Sequence, residues 1–168
     1  MARNIEIKAR IDNIEALAAK ISEIADKGPI EIFQDDTFFS CPNGRMKLRT
    51  FSDTEAELIF YQRPDHAGPK ESIYSISPVR EPDKIREVLS QGYGQTGLVR
   101  KHRTLFLIGR TRVHLDRVEG LGDFIELEVV LAEKEPTEAG VLVANELLGK
   151  LGISPDALIE GAYVDLLK

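Results

Sequence analysis

The stretch Gly44-Arg-Met-Lys-Leu-Arg49 decides how this chain folds. As a strand it sends Arg45, Lys47 and Arg49 to one face and Met46 and Leu48 to the other. Three cations in a row repel one another, so the question is what they face. For an isolated strand the answer is water, because a charged front with an apolar back is how a half-exposed strand reads. The surrounding chain argues otherwise.

Period-two alternation recurs along most of the 168 residues. It predicts eight strands, at 4–11, 31–39, 45–51, 56–63, 71–78, 98–108, 111–118 and 123–132. Turn chemistry separates several of them, at Cys41-Pro-Asn-Gly44, Arg63–Pro69 and Glu119–Asp123. A helix capped by Asp12 follows the first strand, with Glu15 in capping-box position. Further helices are predicted over 81–91 and 137–150, and a short last one opens at Ser154-Pro155-Asp156. The expected fold is therefore α+β, one domain over 1–168. An even number of antiparallel strands can close into an eight-stranded barrel with flanking helices, which removes exposed edges.

The polar faces are not ordinary solvent faces. Asn4, Glu6, Lys8 and Arg10 share one side of the first strand. Lys101 and Arg103 share a face with Val99, Leu105 and Leu107, and Glu126 and Glu128 share one with Phe124. Arg110, Arg112, His114 and Asp116 line up on the strand between, and Tyr61 and Arg63 share a face with Ile59. Large apolar neighbours on a charged face are not needed in water. The signs are also sorted, with cations on the middle strands and carboxylates on the first and last. Closed with these faces inward, the barrel would bury unpaired charge at prohibitive cost unless the groups pair, stay hydrated or take a ligand. A polyanion carrying a divalent cation satisfies both walls, since Lys and Arg suit phosphate oxygens and carboxylates suit Mg²⁺ or Mn²⁺.

Bulk properties narrow the classes. Net charge is −6, so the long-range field repels nucleic acid and anionic membranes, and an anion site must be a local concentration of cations. The single cysteine, Cys41, permits no internal disulfide. No apolar run is long enough to span a bilayer and no secretory leader is recognisable, so a cytoplasmic location is expected. Gly92-Tyr-Gly-Gln-Thr-Gly97 spells G-x-G-x-x-G, but a helix precedes it and a strand follows, the reverse of a dinucleotide site. It reads as a loop. His66, His102 and His114 show no metal-ligand spacing. His66 reads as a loop residue and His102 as outward-facing. For His114 a structural hydrogen bond and a role inside the barrel stay open.

Taken together the motifs resemble the CYTH superfamily, the triphosphate tunnel enzymes that include class IV adenylyl cyclases and thiamine triphosphatases. The residues that carry the resemblance are Asn4-Ile-Glu6-Ile-Lys8, set against the family's E-x-E-x-K, then Gln34-x-Asp36 with Phe38, Lys47-Leu-Arg49 and Lys101-His-Arg103. Arg112, Leu115-Asp116, Phe124-Ile-Glu126-Leu-Glu128 and the tail Ala162–Leu167 follow in order. The resemblance implies an enzyme that binds a small-molecule triphosphate (tripolyphosphate, thiamine triphosphate or ATP) with Mg²⁺ or Mn²⁺. It also implies Glu6, Glu126 and Glu128 as metal ligands. Lys8, Lys47, Arg49, Arg63, Lys101, Arg103 and Arg112 would hold phosphates. Asp116 would join the acidic cluster or orient water or a basic side chain, placing it beside Lys8 and Glu126 in the catalytic group. Asn4 departs from the family's first Glu; its amide oxygen can ligate a hard cation but brings no charge, which weakens one metal position. Hydrolysis is the simpler reading, with cyclisation of ATP or non-catalytic binding of a polyphosphate as alternatives. A monomer and a homodimer are both compatible with the sequence.

Overall fold

A computed structural model describes residues 2–168. Its eight strands are β1 (Ala2–Arg10), β2 (Lys27–Phe39), β3 (Arg45–Thr50), β4 (Ala56–Gln62), β5 (Lys70–Val79), β6 (Gln95–Ile108), β7 (Thr111–Val118) and β8 (Gly122–Val130). The helices are α1 (Ile14–Ile24), α2 (Pro82–Tyr93), α3 (Thr137–Leu151) and α4 (Tyr163–Leu166). All strand pairs are antiparallel and the sheet closes on itself in the order β1-β5-β4-β3-β2-β6-β7-β8. Two meanders, β2 to β5 and β6 to β8, are joined by a β2–β6 ribbon on one side and by β1 on the other.

The barrel is inverted relative to an ordinary small one, with much of its apolar core outside the ring. Ile5, Ile7 and Ala9 of β1, Phe106 of β6, Val113 and Leu115 of β7, and Ile125, Leu127 and Val129 of β8 point outward. They are buried under Ile14, Leu17 and Ile21 of α1 and Ala144, Leu147, Leu148 and Leu151 of α3. On the opposite wall Leu48, Phe39 and Ala56 pack with Ile85 and Leu89 of α2. Gly140 lets α3 approach β1 closely, since a Cβ there would lie 2.5 Å from Ile5 Cγ1. With the outward faces covered by helices, the alternate residues are left facing inward, and these are the charged ones.

Several boundaries differ from the pattern in the sequence. β2 starts at Lys27 rather than Glu31, because Lys27 and Ile30 pair with Leu107 and Leu105 of the long β6. α1 is capped by Asn13, whose side-chain oxygen accepts from Ala16 N at 3.0 Å, and not by Asp12. Helix 14–24 puts Asp12 outside the turn, and Glu15 instead bonds Arg117. The expected loop at 92–97 is nearly absent: α2 runs to Tyr93, Gly94 makes the turn at φ 79°, and β6 begins at Gln95. The expected helix at Ser154 is a single 3₁₀ turn, Pro155–Ala157. No helix among the described residues is long and apolar enough to cross a membrane.

Candidate functional site

The barrel interior holds a cavity of about 330 Å³. Every strand contributes to its lining at alternate positions: Asn4, Glu6 and Lys8; Gln34 and Asp36; Lys47 and Arg49; Tyr61 with Arg63 just beyond; Ser72 and Tyr74; Lys101 and Arg103; Arg112 and His114; Glu126 and Glu128. Closure is what brings the sorted charges together. β1 and β8, far apart in the chain, are neighbours, with Glu6 opposite Glu128 and Lys8 opposite Glu126. β3, β2 and β6 form the cationic wall.

On that wall Asp36 is almost fully enclosed, and three cations converge on its Oδ2. Arg49 Nη2 lies at 2.8 Å, Lys101 Nζ at 3.1 Å and Lys47 Nζ at 3.2 Å. One carboxylate neutralises one of three charges, so the wall is locally over-positive. Asp36 accordingly stays ionised; burial opposes this, but Arg49, Lys101 and Lys47 together hold its pKa well below the ordinary carboxylate range. The excess falls on the lysines. Burial, with Arg49 and Arg103 nearby, pushes Lys101 down to about 7, and burial with Arg49 pushes Lys47 down to about 8, against the pull of Asp36.

On the acidic wall Glu6 is bonded by Arg63 Nη1 at 2.8 Å, and Glu126 faces Lys8 Nζ at 3.4 Å and Arg103 Nη2 at 3.5 Å. Glu128 accepts from Arg112 Nε at 3.0 Å. Burial, then Glu128 and Glu126, push Glu6 up to about 7 in spite of Arg63. Glu126 and Glu128 go the other way: burial opposes it, but Lys8, His114 and Arg103 hold Glu126 well below the usual carboxylate range, and His114, Arg112 and Arg103 lower Glu128. Glu6 is the carboxylate whose counter-charge falls short, and a divalent cation beside it would supply more. Carboxylate oxygens are the donor type that Mg²⁺ and Mn²⁺ take, and Glu126 and Glu128 each present one within 4.8 Å of the other. Asn4 lines the same cavity, but its amide already has partners. With its carboxamide oxygen toward Arg112 Nη2 (3.1 Å), its nitrogen donates to Arg3 O and Tyr74 Oη, both at 3.2 Å, so all its polar atoms are used.

Asp116 does not line the cavity. It is fully buried behind Arg103, accepting from Nε at 2.7 Å and Nη2 at 2.8 Å, and from Tyr163 Oη at 2.7 Å. Tyr163 belongs to the tail, where Ala162, Tyr163 and Val164 pack with Phe38, Ile59, Tyr61, Val99 and Phe124 and stop one end of the barrel. Lys8 Nζ sits 4.0 Å from the centre of its ring. Arg45 is the one member of the opening stretch that leaves the interior; it bonds Asp165 at 2.5 Å and so latches the same tail.

Tyr163, Gln34 and Lys70 were not singled out as site residues from the sequence. Lys70 is buried level with Glu6, its Nζ donating to His66 O at 2.8 Å. It stands one residue before the predicted start of its strand, so the parity that would have placed it inward began one step too late. His102 pairs outside the cavity with Glu31 at 2.7 Å, and His66 lies exposed in its loop.

The CYTH domain model matches residues 2–163. The chain belongs to the CYTH family. Among curated proteins it is 27% identical over 176 residues to a protein of Methanocaldococcus jannaschii named as a candidate adenylate cyclase, covering 96% of this chain and 97% of that one. It is 23% identical to the adenylate cyclase CyaB of Aeromonas hydrophila, covering 95% and 85%. Among solved structures the PH1012 protein of Pyrococcus horikoshii superposes with a TM-score of 0.86 at 23% identity, over 98% of this CYTH chain and 99% of that one. The CYTH fold thus accounts for the closed eight-stranded sheet and its four helices.

Proposed function

We propose that this CYTH protein is a metal-dependent triphosphatase that seats a short triphosphate inside the barrel. One observation carries the reading: three cations share the single carboxylate of Asp36, an excess that a polyanion relieves. The cavity, about 330 Å³, lies at the small end of small-molecule sites and suits a compact ligand.

In this reading Lys47, Arg49 and Lys101 take phosphate oxygens at one end, and Arg103, Arg63 and Arg112 take those nearer the acidic wall. Asp116 is a positioning residue that holds the Arg103 guanidinium by two bonds and is itself held by Tyr163. Glu6, Glu126 and Glu128 hold Mg²⁺ or Mn²⁺, and Asn4 contributes through Arg112 rather than as a ligand. When bound, the metal supplies charge neutralisation at the phosphates and a more acidic water. Lys8 and Glu126 face each other on the acidic wall, and Arg103 reaches the same Glu126 from the cationic side. A phosphoanhydride there has an ammonium on its oxygens, while Glu126 accepts a hydrogen bond from the attacking water and orients it.

A cyclase reading has separate support. The curated relatives carry cyclase names, and Ile32, Phe51 and Ile76 line the cavity beside its charges, where a nucleobase would find apolar surface. Phosphorus NMR of the protein with Mg²⁺ or Mn²⁺ and either tripolyphosphate or ATP separates the two. Orthophosphate and pyrophosphate growing at the expense of tripolyphosphate is the expected result. Pyrophosphate with a cyclic-nucleotide resonance from ATP would establish the cyclase instead, and unchanged spectra with both substrates would leave a binding module.

A further inference from the structure

The acidic wall contains a side chain that an oxygen-only metal site does not need. His114 is 4% exposed, and its Nδ1 has no hydrogen-bond partner. The nearest carboxylate oxygen to Nδ1 is Glu126 Oε1 at 3.5 Å, and Nε2 lies 3.6 Å from Glu128 Oε1. An imidazole between two carboxylates would gain a strong bond by closing on either, yet it stands off from both. β7 fixes its place, since Val113 and Leu115 on either side are locked in the outer core. One donor atom from each of His114, Glu126 and Glu128 lies within 4.8 Å of the others, the spacing of ligands around a single ion.

We infer that His114 is a ligand of the metal, which therefore carries one imidazole nitrogen among carboxylate oxygens. The inference rests on the metal-dependent reading above and goes beyond it in naming the donor and the ion it selects. Nδ1 has no hydrogen-bond partner and is the nitrogen free to ligate, while Nε2 lies toward Glu128 at 3.6 Å, too far for a hydrogen bond. Glu126 can give Oε1 to the ion while Oε2 keeps Lys8. Mg²⁺ prefers oxygen and gains little from imidazole, whereas Mn²⁺ and later first-row ions accept it readily. The same chain has an amide, Asn4, committed to Arg112 and Tyr74 in place of a further acidic ligand. Fewer charges weaken the hold on Mg²⁺, and a nitrogen donor offsets that loss only for the softer ion. The site is therefore built for Mn²⁺ over Mg²⁺.

The test uses the full chain with Mn²⁺ alone and no phosphate. Free Mn²⁺ is followed by its EPR signal, Mg²⁺ is added as competitor, and the bound ion is examined by pulsed EPR with ¹⁴N and with ¹⁵N-histidine protein. The expected result is a bound ion with histidine-nitrogen coupling. In His114→Gln the coupling disappears and Mn²⁺ affinity falls about tenfold, while Mg²⁺ affinity changes less than about twofold. Should that variant fail to fold, the double variant His66→Gln/His102→Gln leaves His114 as the last of the three histidines. Coupling that survives there assigns it to His114, and coupling that vanishes overturns the inference. Bound Mn²⁺ without nitrogen coupling also overturns it but leaves the metal-dependent reading standing. No Mn²⁺ binding at all overturns both.

Discussion

Exchanging Lys101 for arginine tests whether the cationic wall is an anion site. Lys101 lies 3.1 Å from an Asp36 oxygen that Arg49 and Lys47 also approach, and it is pushed down to about 7 by burial and its cationic neighbours. Lys47 is pushed down to about 8. At pH 8 about nine-tenths of Lys101 and about half of Lys47 are then neutral. A polyanion against them favours the charged forms again, so binding draws in about 1.4 protons per ligand. Arginine stays charged throughout. Lys101→Arg should keep tripolyphosphate binding but lower proton uptake by about 0.9. The assay is titration calorimetry at pH 8 in buffers of different ionisation enthalpy, whose slope counts the protons. The ligand's own titration is common to both proteins and cancels in the difference. Equal uptake in the two, or a difference below about 0.3 protons, would refute the reasoning.

The same shifts govern stability without ligand. Between the folded value near 7 and the ordinary lysine value of 10.5, the unfolded chain binds more protons at position 101 than the folded one. The penalty is fully present below pH 7, and stability contributed by this group rises with pH above it, by at most about 1.4 kcal/mol per unit. Denaturant unfolding from pH 7 to 9 should show the rise, and saturating tripolyphosphate should flatten it. Tyr163→Phe removes the 2.7 Å bond to buried Asp116, and a loss of about 1.5–3 kcal/mol is expected in urea unfolding. Lys47→Ala should shrink the rise in melting temperature that tripolyphosphate produces, because the stabilisation by a ligand grows with the logarithm of its concentration over Kd. In Gly97→Ala the new Cβ would lie 2.2 Å from Val164 Cγ2, so the tail should be displaced. Limited proteolysis should then cut the tail faster than in the natural protein, and equal rates would show that the stopper yields without leaving.

The strands were legible because side-chain direction in a strand is local, alternating at each residue. Arg45–Arg49 read correctly as a strand, and Lys47 and Arg49 face inward as their parity requires. The same parity named Lys8, Arg103 and Glu126 as interior, and the order of the motifs pointed to the family. Errors came where a boundary depended on a distant partner. β2 is lengthened by its pairing with β6, and Lys70 was missed because its strand starts one residue earlier than the alternation suggests.

What the sequence determined by itself is therefore the alternation, the sorting of charges onto strands, and the membership that follows from motif order. Which charges meet was decided only by closure of the barrel. Asp36 collects three cations because β3 and β6 flank β2, and Glu6 meets Glu128 because the last strand returns to the first. Arg45 shares the parity of Lys47 yet bonds the tail, and Asp116 shares that of His114 yet hides behind Arg103. Position along the barrel axis separates these pairs. It is set by strand stagger and by where the tail seats Tyr163, which are long-range properties that no local pattern encodes.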